Sequence, residues 1–280
     1  MPHFLLQAGH ASVVLLEVIA LLWVGRRALE LVNRVRFRGQ LTDKDNPAAG
    51  LLVAGFQIGL FLALSGLLAG EQSTLAHDAI LTAAHGAGAI AALILSPFLW
   101  RPLVQVHVHG DILEKKNLGS GLVFGSLLAA TGLIYRGAVS GQGEHAGTTA
   151  AFFAVGEGAL LLSLMLYEWV TPYDVYAEIA EKSNLAAAIS FSGACLAAGL
   201  ILGNAVEGEF KGWKESILES LLYMVPLLAL PFVRWVLVNG LLLGFGSVNK
   251  QVAEERSTPA GLVEGSAYLG LAFFVIHLTG

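Results

Sequence analysis

Apolar runs and short polar stretches alternate eight times along the 280 residues. Four of the runs open with related text: Asn46-Pro47-Ala48-Ala49-Gly50, Asn117-Leu118-Gly119-Ser120-Gly121, Asn184-Leu185-Ala186-Ala187-Ala188 and Ser257-Thr258-Pro259-Ala260-Gly261. These starts lie 71, 67 and 73 residues apart. A steady period of this length marks one supersecondary unit repeated, and here the unit holds two apolar runs. The pattern predicts helices near 9–33, 46–69, 79–104, 117–140, 148–170, 184–206, 216–244 and 258–279. Each is long enough to cross about 30 Å of hydrocarbon at about 1.5 Å per residue. The expected fold is all-α: a polytopic membrane bundle of eight transmembrane helices in four parallel two-helix repeats. Its halves would be about 1–143 and 144–280.

Charge orients the bundle. Of the 16 Lys and Arg residues, 13 lie in the connections from odd to even helices or flank them, and Arg136, Lys211 and Lys214 lie on the other side. Positive residues stay cytoplasmic, so both termini are expected outside the cytoplasm. Trp100, Trp169 and Trp235 fall near the cytoplasmic ends of odd helices, at the depth of an aromatic belt. The first run does not read as a cleaved signal, because Met1 to Gly9 carry no Lys or Arg while Arg26-Arg27 follow it. Repeats pointing one way lead to an expected two-fold or four-fold pseudo-symmetry about the membrane normal.

The repeated text has a local meaning. Asn46, Asn117, Asn184 and Ser257 stand where an N-cap oxygen accepts from the free N–H groups of a first turn. Small residues follow at four-residue spacing: Gly55 and Gly59, Gly121 and Gly125, Gly199 and Gly203, Gly261 and Gly265. Such stripes let helix backbones approach in lipid, so the even helices are expected to form the close-packed interior. This Asn–x–Ala–Ala start, with its small-residue helix and two-helix unit, resembles the YjfL-like family of bacterial inner-membrane proteins (domain of unknown function 350), here in tandem duplication. The fourth copy departs most, with Ser257 and Thr258 at its start. The resemblance implies a bacterial inner membrane and brings no activity with it.

Ionisable groups inside apolar runs are costly, about 2.5–3.5 kcal/mol for Asp, Lys or Arg at a helix centre, and are functional candidates by default. The odd helices carry Glu17, His85, Glu157 and Glu219, one each. The first three are expected roughly 10–14 Å below the outer ends, with Glu219 shallower. Glu264 enters helix 8 from the cytoplasmic side; Gln57 and Asn204 add polar groups, and Arg136 is placed to face the acids. One reading is a polar vestibule that passes cations or relays protons. The other is that each group joins helices by hydrogen bonding.

Composition narrows the classes further. Only 13% of residues are charged, against about 25% in soluble domains, and no basic stripe points to nucleic acid. The lone Cys195 excludes an internal disulfide. His3, His10, His77, His145 and His277 lie near the outer surface without metal-ligand spacing, and His107 and His109 read as loop residues. No phosphate-binding loop, dinucleotide fingerprint, HExxH or nucleophile elbow occurs, so no cofactor and no catalytic residue is assigned. Besides the lipid bilayer, partners could be a cytoplasmic protein docking on loops 26–45 and 168–183, or further copies in a homo-oligomer. An ion or small-solute pathway and a membrane scaffold are both open at this point.

Overall fold

The computed structural model of the chain describes residues 2–69, 74–141, 146–208, 210–242 and 247–279. His145 lies outside them, as do residues 243 and 244 of the expected seventh helix, and the side chains of His3 and His10 are not described. The described residues form nine α-helices and no strand: α1 (Pro2–Val32), α2 (Pro47–Ser65), α3 (Leu75–Val104), α4 (Leu118–Gly141), α5 (Ala146–Val170), α6 (Leu185–Val206), α7 (Trp213–Trp235), the short α8 (Val248–Ala253) and α9 (Thr258–Thr279). Seven of them, α2 to α7 and α9, are long and apolar enough to cross a membrane. α1 is a further helix of 31 residues.

The helices stand in two rows. α2 packs on α4, α4 on α6 and α6 on α9, while α1, α3, α5 and α7 form a second row against them. The ring implied by four-fold symmetry does not form: α2 and α9 end the row. α4 and α6 lie at its centre, and 89% and 72% of their apolar windows are buried, against 24% for α7.

Glycine sets the close approaches within the row. A Cβ on Gly55 would run into the backbone of Gly125, and one on Gly121 into that of Ala48. The second half repeats this crossing residue for residue, with Gly193 on Gly265 and Gly261 on Ala186. Gly59 lies against Leu128 and Gly132 of α4. Gly199 and Gly203 serve a different contact, the junction of the halves, where they meet Ala130, Leu133 and Gly137 of α4.

Each even helix is entered through the same loop. The N–H two residues before the cap donates to the carbonyl seven before it: Lys44 to Gly39, Lys115 to Gly110, Lys182 to Ala177 and Glu255 to Lys250, at 3.0–3.1 Å. The residue just before the cap is left-handed in all four, Asp45, Lys116, Ser183 and Arg256, with φ of 44° to 53°. Nine residues before the cap an apolar side chain plugs the bundle: Phe37, Val108, Val175 and Val248, each at most 2% exposed.

The caps also tie one unit to the next. Asn46 Oδ1 accepts from the N–H groups of Ala48 and Ala49, while its amide donates to the Ile112 carbonyl at 2.9 Å. Asn117 caps Ser120 and donates to Ile179 at 2.7 Å; Asn184 caps Ala187 and donates to Val252 at 2.9 Å. All three acceptors lie five residues before the following cap. Ser257 caps Ala260. Among the described residues its side chain makes no bond to the loop of another unit.

Candidate functional site

Seven residues after each of the last three caps, the even helix presents a side chain to an odd helix. On α4 this is Phe124, packed edge-on against Trp100 of α3 with ring centroids 4.8 Å apart. On α6 it is Phe191, packed edge-on against Tyr167 of α5 at 5.0 Å. On α9 it is Glu264, ion-paired with Arg234 of α7. Trp100 and Arg234 each follow a proline by three residues, Pro97 and Pro231. The same structural position is therefore filled by two aromatic pairs and then by a charge pair. Glu264 is 0% exposed and Arg234 8%.

Tyrosines surround the pair. The Arg234 guanidinium carbon lies 5.7 Å from the Tyr268 ring centre, one helical turn beyond Glu264, a geometry in which the ring face attracts the cation. Tyr167 and Tyr173 also feel the Arg234 charge. Tyr173, in the turn after α5, is pushed up to about 12 by burial. Arg234 Nε and the Tyr173 hydroxyl are buried without hydrogen-bond partners. Between α5, α6, α7 and α9 lies a small, partly open crevice of about 30 Å³, lined by Tyr167, Phe191, Cys195, Leu227, Pro231 and Tyr268 among others. Tyr167 and Tyr268 thus belong to both the crevice and the surroundings of Arg234.

The other sequence candidates do not converge on this site. Glu157 is buried at 1% exposure, with Thr131 on α4 and Ser96 on α3 as polar company, and neither carboxylate oxygen makes a well-aligned hydrogen bond. Ser96 lies eleven residues beyond His85 on α3, roughly 16 Å along the axis, so His85 and Glu157 occupy different levels. His85 is half-buried and its carbonyl accepts from the Tyr135 hydroxyl at 3.0 Å. Glu17 is half-buried on α1, which packs on α3, and its Oε2 is buried without a partner. Glu219 pairs with Lys211 at 3.0 Å in an exposed setting, and Gln57 and Arg136 are exposed. Among the described residues no group of three His, Cys, Asp or Glu gathers as a metal site requires.

Reading the caps in register would have singled out Glu264, where Phe stands in the two preceding units. Arg234 is harder to see. Pro231 precedes its cap by 26 residues and Pro97 by 20, so the extra residues of the fourth unit hide the correspondence. The longer connection begins with the wide-turn segment Val236–Leu242 that continues α7.

Apolar helices, a duplicated crossing and a repeated cap clamp define a multi-pass, all-helical membrane protein built as two copies of one domain. The family model described as Domain of Unknown Function (DUF350) matches residues 3–139 and again 143–278. The chain belongs to this family, in tandem duplication. No curated protein and no solved structure matches it.

Proposed function

We propose that this chain is an eight-span protein of a bacterial inner membrane, with four parallel repeats and both termini extracytoplasmic, that forms a pathway for an ion or small solute. The cap clamps support the shared direction, since they hold the start of each even helix beside the loop entering the next. The length of α1 supports the eighth span. Labelling of single cysteines near residues 2 and 278 in intact cells tests the topology; protection of either end from an impermeant reagent sinks it.

The observation that carries the function is the Arg234–Glu264 pair. Two charges taken out of water gain little net stability over an apolar pair of similar size, and the first half fills that position with Trp100 and Phe124. A charge pair kept at the same place serves something other than packing, and intramembrane ionisable groups mark ion and proton routes. α7 carries Pro226 and Pro231 and then runs into the irregular segment Val236–Leu242. Interrupted helices of this kind line solute sites in transporters. Glu157, Glu17 and His85 would supply further proton- or cation-facing groups, each along its own helix contact. The alternative is a scaffold that recruits a cytoplasmic partner through loops 26–45 and 168–183, whose Arg27, Arg34, Arg36, Arg38, Glu181 and Lys182 are exposed; a pulldown with and without residues 26–45 that returns identical partners counts against it.

Proton or cation flux into proteoliposomes tests this reading. Glu264→Gln is expected to cut flux at least about tenfold, the scale on which positioned proton-transfer groups act, and Glu157→Gln less. Wild-type flux and pH response in Glu264→Gln would remove the pair from the mechanism.

A further inference from the structure

Glu157 is a second buried acid, and its surroundings differ from those of its counterparts. Ten residues before the position shared by Trp100, Tyr167 and Arg234, α5 carries Glu157 where α3 has Ile90 and α7 has Met224. Fourteen residues after the cap, α4 carries Thr131 where α2 has Leu60, α6 Ala198 and α9 Leu271. The two polar residues meet. The hydroxyls of Thr131 and of Ser96 on α3 lie at the Glu157 carboxyl, and all three residues are buried. Yet both carboxyl oxygens and the Thr131 hydroxyl lack a well-aligned hydrogen bond. Apolar side chains fill the Glu157 and Thr131 positions in the other units, so packing does not require oxygens there.

We propose that this cluster binds one dehydrated monovalent cation of sodium size in exchange for a proton on Glu157. This deepens the pathway reading by naming its ion, and rests on it only for the idea that the ion travels. Hard cations take oxygen ligands, and the cluster offers two carboxylate and two hydroxyl oxygens. A fifth is within one turn: Pro97 has no N–H, so the Leu93 carbonyl of α3 loses its helical donor. One carboxylate sets the charge. A single positive charge neutralises it, whereas a divalent ion would leave an excess charge out of reach of water. The carboxyl proton leaves to bulk water as the ion enters, so the site is neutral in both states. Thr131 and Glu157 stand near the middle of α4 and α5, the last helix of the first copy and the first of the second. Coupling-ion sites of repeat-built transporters occupy such a place, the midplane at the repeat interface. Thr131 and Ser96 are the polar company of the carboxyl, and no charged side chain acts on it. Titratable groups on the helices packed against α5 are placed or engaged elsewhere. On α3, His85 lies eleven residues before Ser96 and Arg101 five after it. On α4, Tyr135 bonds to the His85 carbonyl at 3.0 Å and Arg136 is exposed. α6 carries Cys195, which lies with Leu164 and Tyr167 further along α5. On α7, Glu219 pairs with Lys211 at 3.0 Å and Arg234 with Glu264.

Binding of radioactive sodium to the full chain in phosphatidylcholine nanodiscs, with ionic strength held constant by choline chloride, tests the site. One saturable ion per chain is expected, displaced by unlabelled sodium and lithium and far less by potassium. Lowering the pH should weaken binding by up to about tenfold per unit, the slope for one competing proton. Glu157→Gln is expected to weaken binding about tenfold or more, the scale on which groups at a metal site act, and Thr131→Val less. Glu264→Gln should bind sodium as the wild type does. Thermal unfolding in choline shows whether each variant folds; where Glu157→Gln does not, the wild-type pH and potassium profiles decide alone. Absence of saturable sodium binding overturns the proposal and leaves Glu157 a proton site only. A flat pH profile, equal displacement by potassium, or undiminished binding in folded Glu157→Gln overturns it as well. Sodium binding without flux into proteoliposomes sinks only the pathway, and flux without sodium binding sinks only the site.

Discussion

In the first half of the molecule Trp100 meets Phe124; in the second, Arg234 meets Glu264 at the corresponding place. The backbone around the two positions is set in the same way, by Gly55 on Gly125 and by Gly193 on Gly265. Duplication therefore left the crossing of the inner helices intact and changed what stands beside it. The aromatic pair needs only to fill space. The charge pair must be desolvated on both sides, and its partners must hold it. The difference locates the specialised part of the protein in the second half, next to the one irregular stretch of α7.

Breaking the pair on one side gives the largest effect. Glu264→Ala leaves Arg234 buried and alone, and is expected to destabilise the fold by about 3–5 kcal/mol in detergent unfolding. Arg234→Trp/Glu264→Phe should recover most of that loss. The converse experiment sharpens the comparison: Trp100→Arg destabilises the first half, and Phe124→Glu added to it restores part of the stability. A wild-type unfolding curve for Glu264→Ala would mean that the pair is not a buried charge pair at all.

The duplicated crossing predicts the next effect. Gly55→Leu and Gly193→Leu each push a side chain into the facing glycine backbone, which typically costs about 1–3 kcal/mol. The two losses should be similar, because the crossings are built alike. Gly158→Ala is the control: a Cβ there meets nothing within 4 Å, so stability should hold or rise by about 0.5–1 kcal/mol. Unequal losses at Gly55 and Gly193 would break the equivalence of the halves.

Much of this was legible in the sequence, and the physical reason for each success and miss differs. Apolar runs, caps and the period report local requirements, so the helices and the repeat could be read from them. A GxxxG stripe reports that a helix is approached closely but not by which neighbour. Gly199 and Gly203 therefore looked equivalent to Gly55 and Gly59, although they face the other half, and Gly193 was passed over. The same ignorance of partners led to an expected two-fold or four-fold pseudo-symmetry where the inner helices form an open row. Glu264 was noticed as an acid in an apolar run, whereas its partner Arg234 was counted only among the positive charges flanking the fourth connection. The second function of the Asn caps depends on a carbonyl more than 60 residues away in sequence, and local text cannot show that.

The cap clamps separate inner units from the last one. Asn117→Ala removes the cap, worth about 0.5–2 kcal/mol, and leaves the Ile179 carbonyl without its donor, adding about 1 kcal/mol or more. Asn117→Ser keeps the capping oxygen and loses only the clamp, so it should fall between Asn117→Ala and wild type. Ser257→Ala should cost about 1 kcal/mol at most, since its only cap bond is long at 3.4 Å. Thermal unfolding of the three variants checks the order. Equal losses at Asn117→Ser and Ser257→Ala would leave the clamp without energetic meaning.

The smallest effect concerns acid in the entrance loops. Six residues before the cap, the first and last units carry Gln40 and Gln251, the middle two Asp111 and Glu178. Burial alone raises a carboxyl's affinity for protons, but Glu178 accepts from Lys182 at 2.6 Å and from Asn184 at 3.0 Å. These bonds, with the nearby positive charges, outweigh burial and hold its pKa below the ordinary 4.5. The folded state thus favours the anion, so the stabilisation is present above the unfolded value and is lost as pH falls through the lower, folded one. Lys182 is half exposed, which keeps the gain to about 1 kcal/mol or less. Glu178→Gln copies the first unit, where Asn46 donates to the neutral Gln40 at 3.2 Å, and cannot titrate. Its unfolding midpoint should lie slightly below that of the wild type at pH 7, and the gap should close as pH falls below the ordinary 4.5 and through the lower, folded value. A gap of constant size across that range would show that Asn184 is held without help from the carboxylate charge.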